Sequence, residues 1–232
     1  MLENSAIDYI EKSKSGHSIS ELNFNKPELD INNEVEALSN TVNQMTEDIK
    51  EYMLKVISAE EEALFMKKVA NTDSLTGARN KLSYDEKLKE INTKISKNLI
   101  DNFGIIMLDV NYLKKINDTY GHKYGDLLIK NFCTIICDIF VHSPVYRIGG
   151  DEFVVILQKR DLQNADDLIA KFEKVMEEYA SDSNLQPWEA PSVAFGISYY
   201  DRTTDTKAED VFKRADEAMY QKKKEMKALR TD

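Results

Sequence analysis

The chain has 232 residues, 42% of them hydrophobic and 31% charged, which suits one well-packed domain with an extension or two small domains. Its net charge of −10 excludes a general nucleic-acid binder, which needs a basic footprint to displace counterions. An acidic chain that handles a polyanion must supply local lysines or recruit cations.

The N-terminal stretch MLENSAIDYIEKSKSG carries acids early and has no apolar core, so it does not read as a signal peptide. No window reaches the roughly 18 apolar residues of a membrane helix, so membrane attachment is expected only through a segment upstream of Met1 in a longer parent. Two cysteines, Cys133 and Cys137, lie in the apolar stretch NFCTIICDIF. They are expected as small hydrophobes on a buried helix face, because no further Cys or His cluster completes a metal site. Low cysteine use suits a reducing cytoplasm.

Residues 1–32 hold a short helical stretch, Ala6 to Lys12, followed by polar sequence with Pro27. The order of helix, connector and second helix opening NNEVEALSNTVNQM resembles a HAMP signal-relay module, without the usual Asp-Glu-x-Gly opening. From Asn33 to Ala70 there is neither Gly nor Pro. Val35, Leu38, Val42, Met45, Ile49, Tyr52, Val56, Ala59, Ala63, Met66 and Ala70 recur at alternating spacings of three and four, an a/d seam of about five heptads. The spacing predicts a coiled-coil signalling helix over 33–70 and a parallel homodimer. After Val56 the seam weakens to alanine, while Leu54, Ile57, Leu64 and Phe65 add a second apolar edge.

From residue 71 to 232 the periodicity alternates. NTDSLTGARNKLSYDEKLKEI opens with turn chemistry and continues as a helix. FGIIMLDV is a continuous apolar run of strand length, as expected of a central strand. A Gly-punctuated loop and an amphipathic helix follow, then VYRI-GG-DEFVVIL, read as strand, two-residue type I′ turn with positive φ at Gly-Gly, and strand. Helices over Asp161 to Tyr179 and Ala208 to Lys227 bracket the strand SVAFGISYY. This order predicts an α+β fold, a mixed and partly antiparallel sheet with helices on one main face.

Three acids are candidates for one cluster. Asp109 ends FGIIMLDV, and Asp151 and Glu152 follow the glycines. If the first strand pairs with the hairpin, the carboxylates converge at one edge of the sheet, where they would repel and raise one another's pKa unless a cation joins them. Either the acids are solvated turn residues or they form a hard-oxygen site of the kind used in phosphoryl transfer. Lys114, Lys115, Lys222, Lys223, Lys224 and Lys227 are solvated helix faces in the plainer reading and phosphate contacts in the sharper one. Asn117 and Asp126 combine an amide and a carboxylate, apt for the donor and acceptor edge of guanine, although such residues beside Gly also form ordinary turns.

Gly149-Gly150-Asp151-Glu152-Phe153 is identical to the GGDEF pentapeptide of diguanylate cyclase domains. Other blocks agree in order. Asp73-Ser74-Leu75-Thr76-Gly77 with Asn80 resembles D-x-L-T-G-x-x-N-R. The stretch from Asp109 to Asp126 resembles D-x-D-x-F-K-x-I-N-D-x-x-G-H-x-x-G-D. Arg147, Phe195-Gly196-Ile197 and Ala215-Asp216-Glu217-Ala218-Met219-Tyr220 match later blocks. The resemblance spans roughly Asn71 to Lys227. It implies a palm-like nucleotidyl cyclase fold and an enzyme that condenses two GTP into cyclic di-GMP, releasing two pyrophosphates, with Mg²⁺ or Mn²⁺. By that resemblance Asp109, the Val110 carbonyl, Asp151 and Glu152 bind metal. Asp151 and Glu152 also serve catalysis with Lys114. Asn117 and Asp126 read guanine, His122 lies near the nucleotide, Gly149 and Gly150 admit the α-phosphate, and Lys223 and Lys227 contact phosphates. Each active site holds half of the product, so the homodimer is part of the expectation, and the location implied is cytoplasmic.

The sequence also departs from the pattern. The product-inhibition motif R-x-x-D should fall at Phe140 to Ser143, which reads FVHS. Asn111 replaces the second acid of D-x-D, Leu113 the usual Phe, Lys81 the usual Arg, and Met226-Lys227 a Gly-Arg pair. The alternative is a module of the same fold that holds GTP or a partner without turnover. In degenerate relatives of that kind a pentapeptide acid or the first metal Asp is typically lost, and all of these stand here.

Overall fold

The structure, a computed structural model, describes residues 31–99 and 102–228. The HAMP-like reading of 1–32 lies outside the described residues, apart from its last two positions. The chain divides into two compact units, Met1–Glu61 and Glu62–Asp232.

Helix α1, Ile31–Asn71, supplies all that is described of the first unit. Its polar face carries the ion pairs Glu47–Lys50 and Glu51–Lys55 and a hydrogen bond from Gln44 to Asp48. Such pairs contribute only about 0.4 kcal/mol each, too little to hold so long a helix by themselves. The seam residues Val35, Leu38, Val42, Met45 and Ile49 are all more than half exposed. A long helix with an exposed a/d stripe fits a coiled coil.

The second unit continues through helix α2 (Lys81–Ser96), strand β1 (Gly104–Val110), helices α3 (Leu113–Tyr120) and α4 (His122–Ile139), and strands β2 (Val145–Arg147) and β3 (Glu152–Leu157). Helices α5 (Lys159–Gln163) and α6 (Ala165–Ser181), strand β4 (Val193–Tyr199) and helix α7 (Ala208–Ala228) complete it. The strand order is β2-β3-β1-β4, and every described pairing is antiparallel. A parallel contact is present only as an isolated bridge between Arg79 and Tyr146.

All seven residues of β1 are buried, as its unbroken apolar run predicts for a central strand. Ile106, Leu108 and Val110 face a core shared with Ile116 of α3, Phe132 and Ile136 of α4, and Phe172 of α6. Ile105 and Met107 point the other way, onto Tyr84 and Leu88 of α2 and Val211, Ala215 and Met219 of α7. Helices therefore cover both faces rather than one main face, because a strand apolar on both sides leaves two surfaces to bury. Of the cysteines, Cys133 is buried as expected, whereas Cys137 is exposed on the outer side of α4.

Gly196 sets the distance between β4 and α7. A Cβ at this position would lie 2.2 Å from the Met219 nitrogen and 2.3 Å from the Ala215 oxygen, both of them backbone atoms that cannot swing aside. Gly196→Ala is therefore expected to cost about 3 kcal/mol by overpacking, read as a lowered thermal midpoint. An unchanged midpoint would mean that the helix is free to shift.

Candidate active site

The register β1–β3 places Asp109 directly opposite Glu152. Directly opposed residues in an antiparallel pair share a face, so the two acids lie on the α7 side of the sheet, beyond Met107 and Val154. Asp109 is 5% exposed. The close approach at Gly196 lays α7 along this face, and one turn past Met219 Lys223 reaches the acid. Its Nζ stands 2.6 Å from Asp109 Oδ2. The other oxygen, Asp109 Oδ1, is buried without a hydrogen-bond partner.

Asp151 ends the turn between β2 and β3, and its carbonyl accepts a 2.9 Å hydrogen bond from the Val110 N–H, which ties the acidic turn to the end of β1. The Glu152 carboxyl is pushed above the usual carboxylate range, first by burial and then by the like charges of Asp151, Asp109 and Asp216, with Lys223 pulling the other way. The expected pairing of strand and hairpin is thus present. Among the described residues, however, no group of three or more His, Cys, Asp or Glu side chains is placed to hold a metal ion. The acids repel, and Lys223 holds one Asp109 oxygen. The donor set nevertheless fits a hard divalent cation, because Asp109 Oδ1 is an anionic oxygen left unmatched beside the Glu152 strand.

The turn itself differs from the one expected. Neither Gly149 nor Gly150 adopts a positive φ. The N–H groups of Ile148 and Gly149 both donate to the Glu152 carbonyl, at 3.0 and 3.4 Å, forming a wider connection than a two-residue type I′ turn. The glycines serve space instead. A Cβ on Gly149 would lie 2.5 Å from Glu152 Oε2, and one on Gly150 would meet open space.

Arg147, noted in the sequence only as part of a motif, braces this turn. Its Nη2 donates to the Gly150 carbonyl at 2.7 Å, and its Nη1 to Asp73 Oδ1 at 3.0 Å. Burial pushes the Asp73 carboxyl up, yet hydrogen bonds from Thr76 and Arg147 hold it below its ordinary value. The Asp73 turn that follows α1 is thereby bonded to the acidic turn. The spacing of Arg147, two residues before Gly149, was the available signal.

Asn117 lies on α3 and Asp126 on α4. A Cβ on Gly125 would fall 1.9 Å from Asn117 Oδ1, so glycine at this position is what lets the amide sit against α4. That Oδ1 is buried and has no hydrogen-bond partner. His122 and Asp126 are exposed one turn apart on α4. Lys114 and Lys227 are exposed, and among the described residues neither reaches the acids, in contrast to Lys223.

Residues 70–228 match the family model described as "Diguanylate cyclase, GGDEF domain", well over half of the chain, so the chain belongs to that family. Diguanylate cyclase DgcS of Shewanella oneidensis is 32% identical over 152 residues, 65% of this chain and 49% of that protein. Diguanylate cyclase DgcP of Pseudomonas aeruginosa is 26% identical over 200 residues, 85% of this chain and 28% of that protein. The chain thus spans about half or less of the length of these relatives. Among solved structures, the coiled coil and GGDEF domain of DgcB from Caulobacter crescentus, in complex with c-di-GMP, superposes with a TM-score of 0.63 at 22% identity. It covers 78% of this chain and 94% of that one. Diguanylate cyclase SiaD of Pseudomonas aeruginosa, solved with its activator SiaC, gives 0.62 at 20% identity, covering 97% and 83%. At these identities the two structures speak for the fold, a GGDEF domain preceded by a long helix.

The raised carboxyl of Glu152 carries a pH consequence. Its folded form binds a proton more readily than its unfolded form, so its charge opposes folding at neutral pH, and that penalty disappears as pH falls through the folded pKa. Without added metal, Glu152→Gln is expected to melt above the native chain at pH 7, with the difference closing toward acid pH. A variant that melts lower at pH 7 would contradict this electrostatic assignment.

Proposed function

We propose that the chain is a diguanylate cyclase acting as a homodimer, condensing two GTP into cyclic di-GMP and two pyrophosphates. The observation that carries the reading is the buried Asp109 carboxylate, in register with Glu152 and with Oδ1 unpartnered. Asp109, the Val110 carbonyl, Asp151 and Glu152 are the residues to hold Mg²⁺ or Mn²⁺, which when bound supplies charge neutralisation and an acidified hydroxyl.

The remaining chemistry belongs to the chain. With its side chain turned out from Gly125, Asn117 accepts through Oδ1 from the guanine N–H edge, and Asp126 from its second donor, a pairing that disfavours adenine because its edge lacks that donor set. His122, one turn before Asp126, borders the nucleotide. Gly149 and Gly150, bare of Cβ atoms, let the backbone approach the α-phosphate. Lys114, Lys223 and Lys227 offset the charge of the phosphates on a chain of net charge −10. Lys223 must leave Asp109 to do so, which couples nucleotide arrival to exposure of that carboxylate.

Within this reading residues 33–70 form the coiled-coil signalling helix, 71–232 the catalytic domain, and 1–32 part of a HAMP-like input. The exposed seam of α1 pairs with a second copy and raises the effective concentration of the second GTP-loaded site. A cytoplasmic location fits an enzyme that uses GTP. No described helix is long and apolar enough to cross a membrane.

Purified protein given GTP and Mg²⁺ is expected to yield cyclic di-GMP and pyrophosphate, and Asp151→Ala neither. GTP recovered intact from a folded native dimer would point instead to a binding module without turnover. Val42→Lys combined with Ile49→Lys is expected to abolish dimerisation and cyclisation together, measured by sedimentation and product assay. A fully active monomer would refute the role of the seam.

A further inference from the structure

A cavity of about 420 Å³ opens beside α3, between that helix and the loop that precedes β4. Lys115 and Thr119, one turn apart, line it from the helix, with Ile116 between them. Asn117 is two residues from each of the outer pair, about 200° around the helix, and faces the other way, onto Gly125 of α4. The cavity is therefore distinct from the edge of α3 that carries Asn117.

Its walls are held in place. Ile116 and Leu128, both buried, form the floor, and Pro187 and Ala190 belong to the loop opposite α3. At the end of that loop the Asn111 N–H donates to the Ser192 carbonyl at 2.8 Å, and the Asn111 amide to Ser192 Oγ at 3.2 Å. In the middle Trp188 packs on Tyr124 and Tyr120, with ring centroids 4.2 and 5.0 Å apart. The turn before it closes on itself. The Glu189 N–H donates to the Gln186 carbonyl at 2.8 Å, and the Gln186 N–H to Glu189 Oε2 at 2.9 Å.

That last bond keeps the acid of the loop on its own turn. The described lining contains no carboxylate, on a chain in which acids outnumber bases by 41 to 31. Lys115 is exposed, and among the described residues it makes no ion pair. Its ammonium lies 6.0 Å from the Tyr112 ring centroid. Ser192 Oγ accepts from Asn111, so its own O–H is left to donate. Tyr112 and Tyr120, both partly exposed, add two aromatic rings to the lining.

We propose that this cavity binds a small planar monoanion of the aromatic carboxylate class, at a site separate from the acids and from Asn117. A floor of buried aliphatic side chains, with a proline and two tyrosine rings around it, suits a flat apolar body. One unpaired ammonium matches one negative charge, and a ligand of higher charge would leave the remainder uncompensated. A bound ligand bridges the loop and α3, the helix whose opposite side carries Asn117. The proposal holds whether or not the chain turns over GTP.

Calorimetric titration of the full chain with benzoate, and separately with its neutral amide, benzamide, tests it. Trp188 is the only tryptophan of the chain and stands in the cavity wall, so its fluorescence gives a second readout. Benzoate is expected to bind saturably at millimolar concentration and to change Trp188 emission with the same midpoint. Benzamide is expected to bind about tenfold more weakly, the effect of losing one charge-assisted contact. Lys115→Met is expected to weaken benzoate by the same factor and to leave benzamide unchanged. Asp126→Asn is expected to alter neither. Absence of saturable benzoate binding in both readouts overturns the proposal, as does unchanged benzoate affinity in Lys115→Met. Loss of binding in a folded Asp126→Asn variant would place the ligand in the guanine site and also overturns it. Ala190→Leu, which adds bulk to the lining, is expected to abolish binding of both compounds, and retained binding by a folded variant counts against the site. Should that variant fail to fold, Lys115→Met on the exposed rim decides.

Discussion

Asp109 is an acid at the end of an otherwise apolar strand, and its burial constrains the architecture around it. An ionised carboxylate withdrawn from water is costly unless a partner of opposite charge reaches it. Lys223 is that partner, and it can reach only because α7 lies against β4 at backbone distance over Gly196. A glycine on a neighbouring strand thus sets the electrostatics of the candidate active site. The same contact leaves one Asp109 oxygen unmatched, so the pair satisfies the charge of the acid but not its full hydrogen-bonding capacity.

Around that pair the sheet and the turns act as a frame. Antiparallel register brings Glu152 opposite Asp109, and the Val110 N–H holds the Asp151 carbonyl at the strand end. Arg147 joins the acidic turn to the Asp73 turn, which follows directly on α1. A change in the strain on α1 therefore has a covalent and hydrogen-bonded route to the backbone that carries Asp151. Its side-chain part is the Arg147 guanidinium, and a backbone part runs beside it through Arg79, whose carbonyl accepts from the Arg147 N–H.

Much of this was legible in the sequence because the signals are periodic or local. The heptad spacing from Val35 to Ala70 reads directly as one long helix, and FGIIMLDV reads as a central strand because both of its faces are apolar. The pentapeptide and its companion blocks identified the family without any geometry. Other features were not legible. That helices cover both faces of the sheet depends on how α2 and α7 pack in space, which no window of sequence encodes. The Gly149-Gly150 turn was misread because glycine allows a positive φ without requiring one, and here what it provides is clearance for Glu152. The Lys223–Asp109 contact joins residues 114 positions apart, and a run of lysines gives no hint of which one turns inward.

On the proposed reading, Lys223 and a divalent cation compete for the Asp109 carboxylate. Titration of Mn²⁺ into the nucleotide-free protein, followed by electron paramagnetic resonance of the free ion, measures this directly for the native chain and for Lys223→Met. Removing the internal cation is expected to tighten Mn²⁺ binding by about tenfold, the effect of withdrawing one positive charge from contact with a buried carboxylate. Equal or weaker binding by a folded Lys223→Met variant would contradict the account.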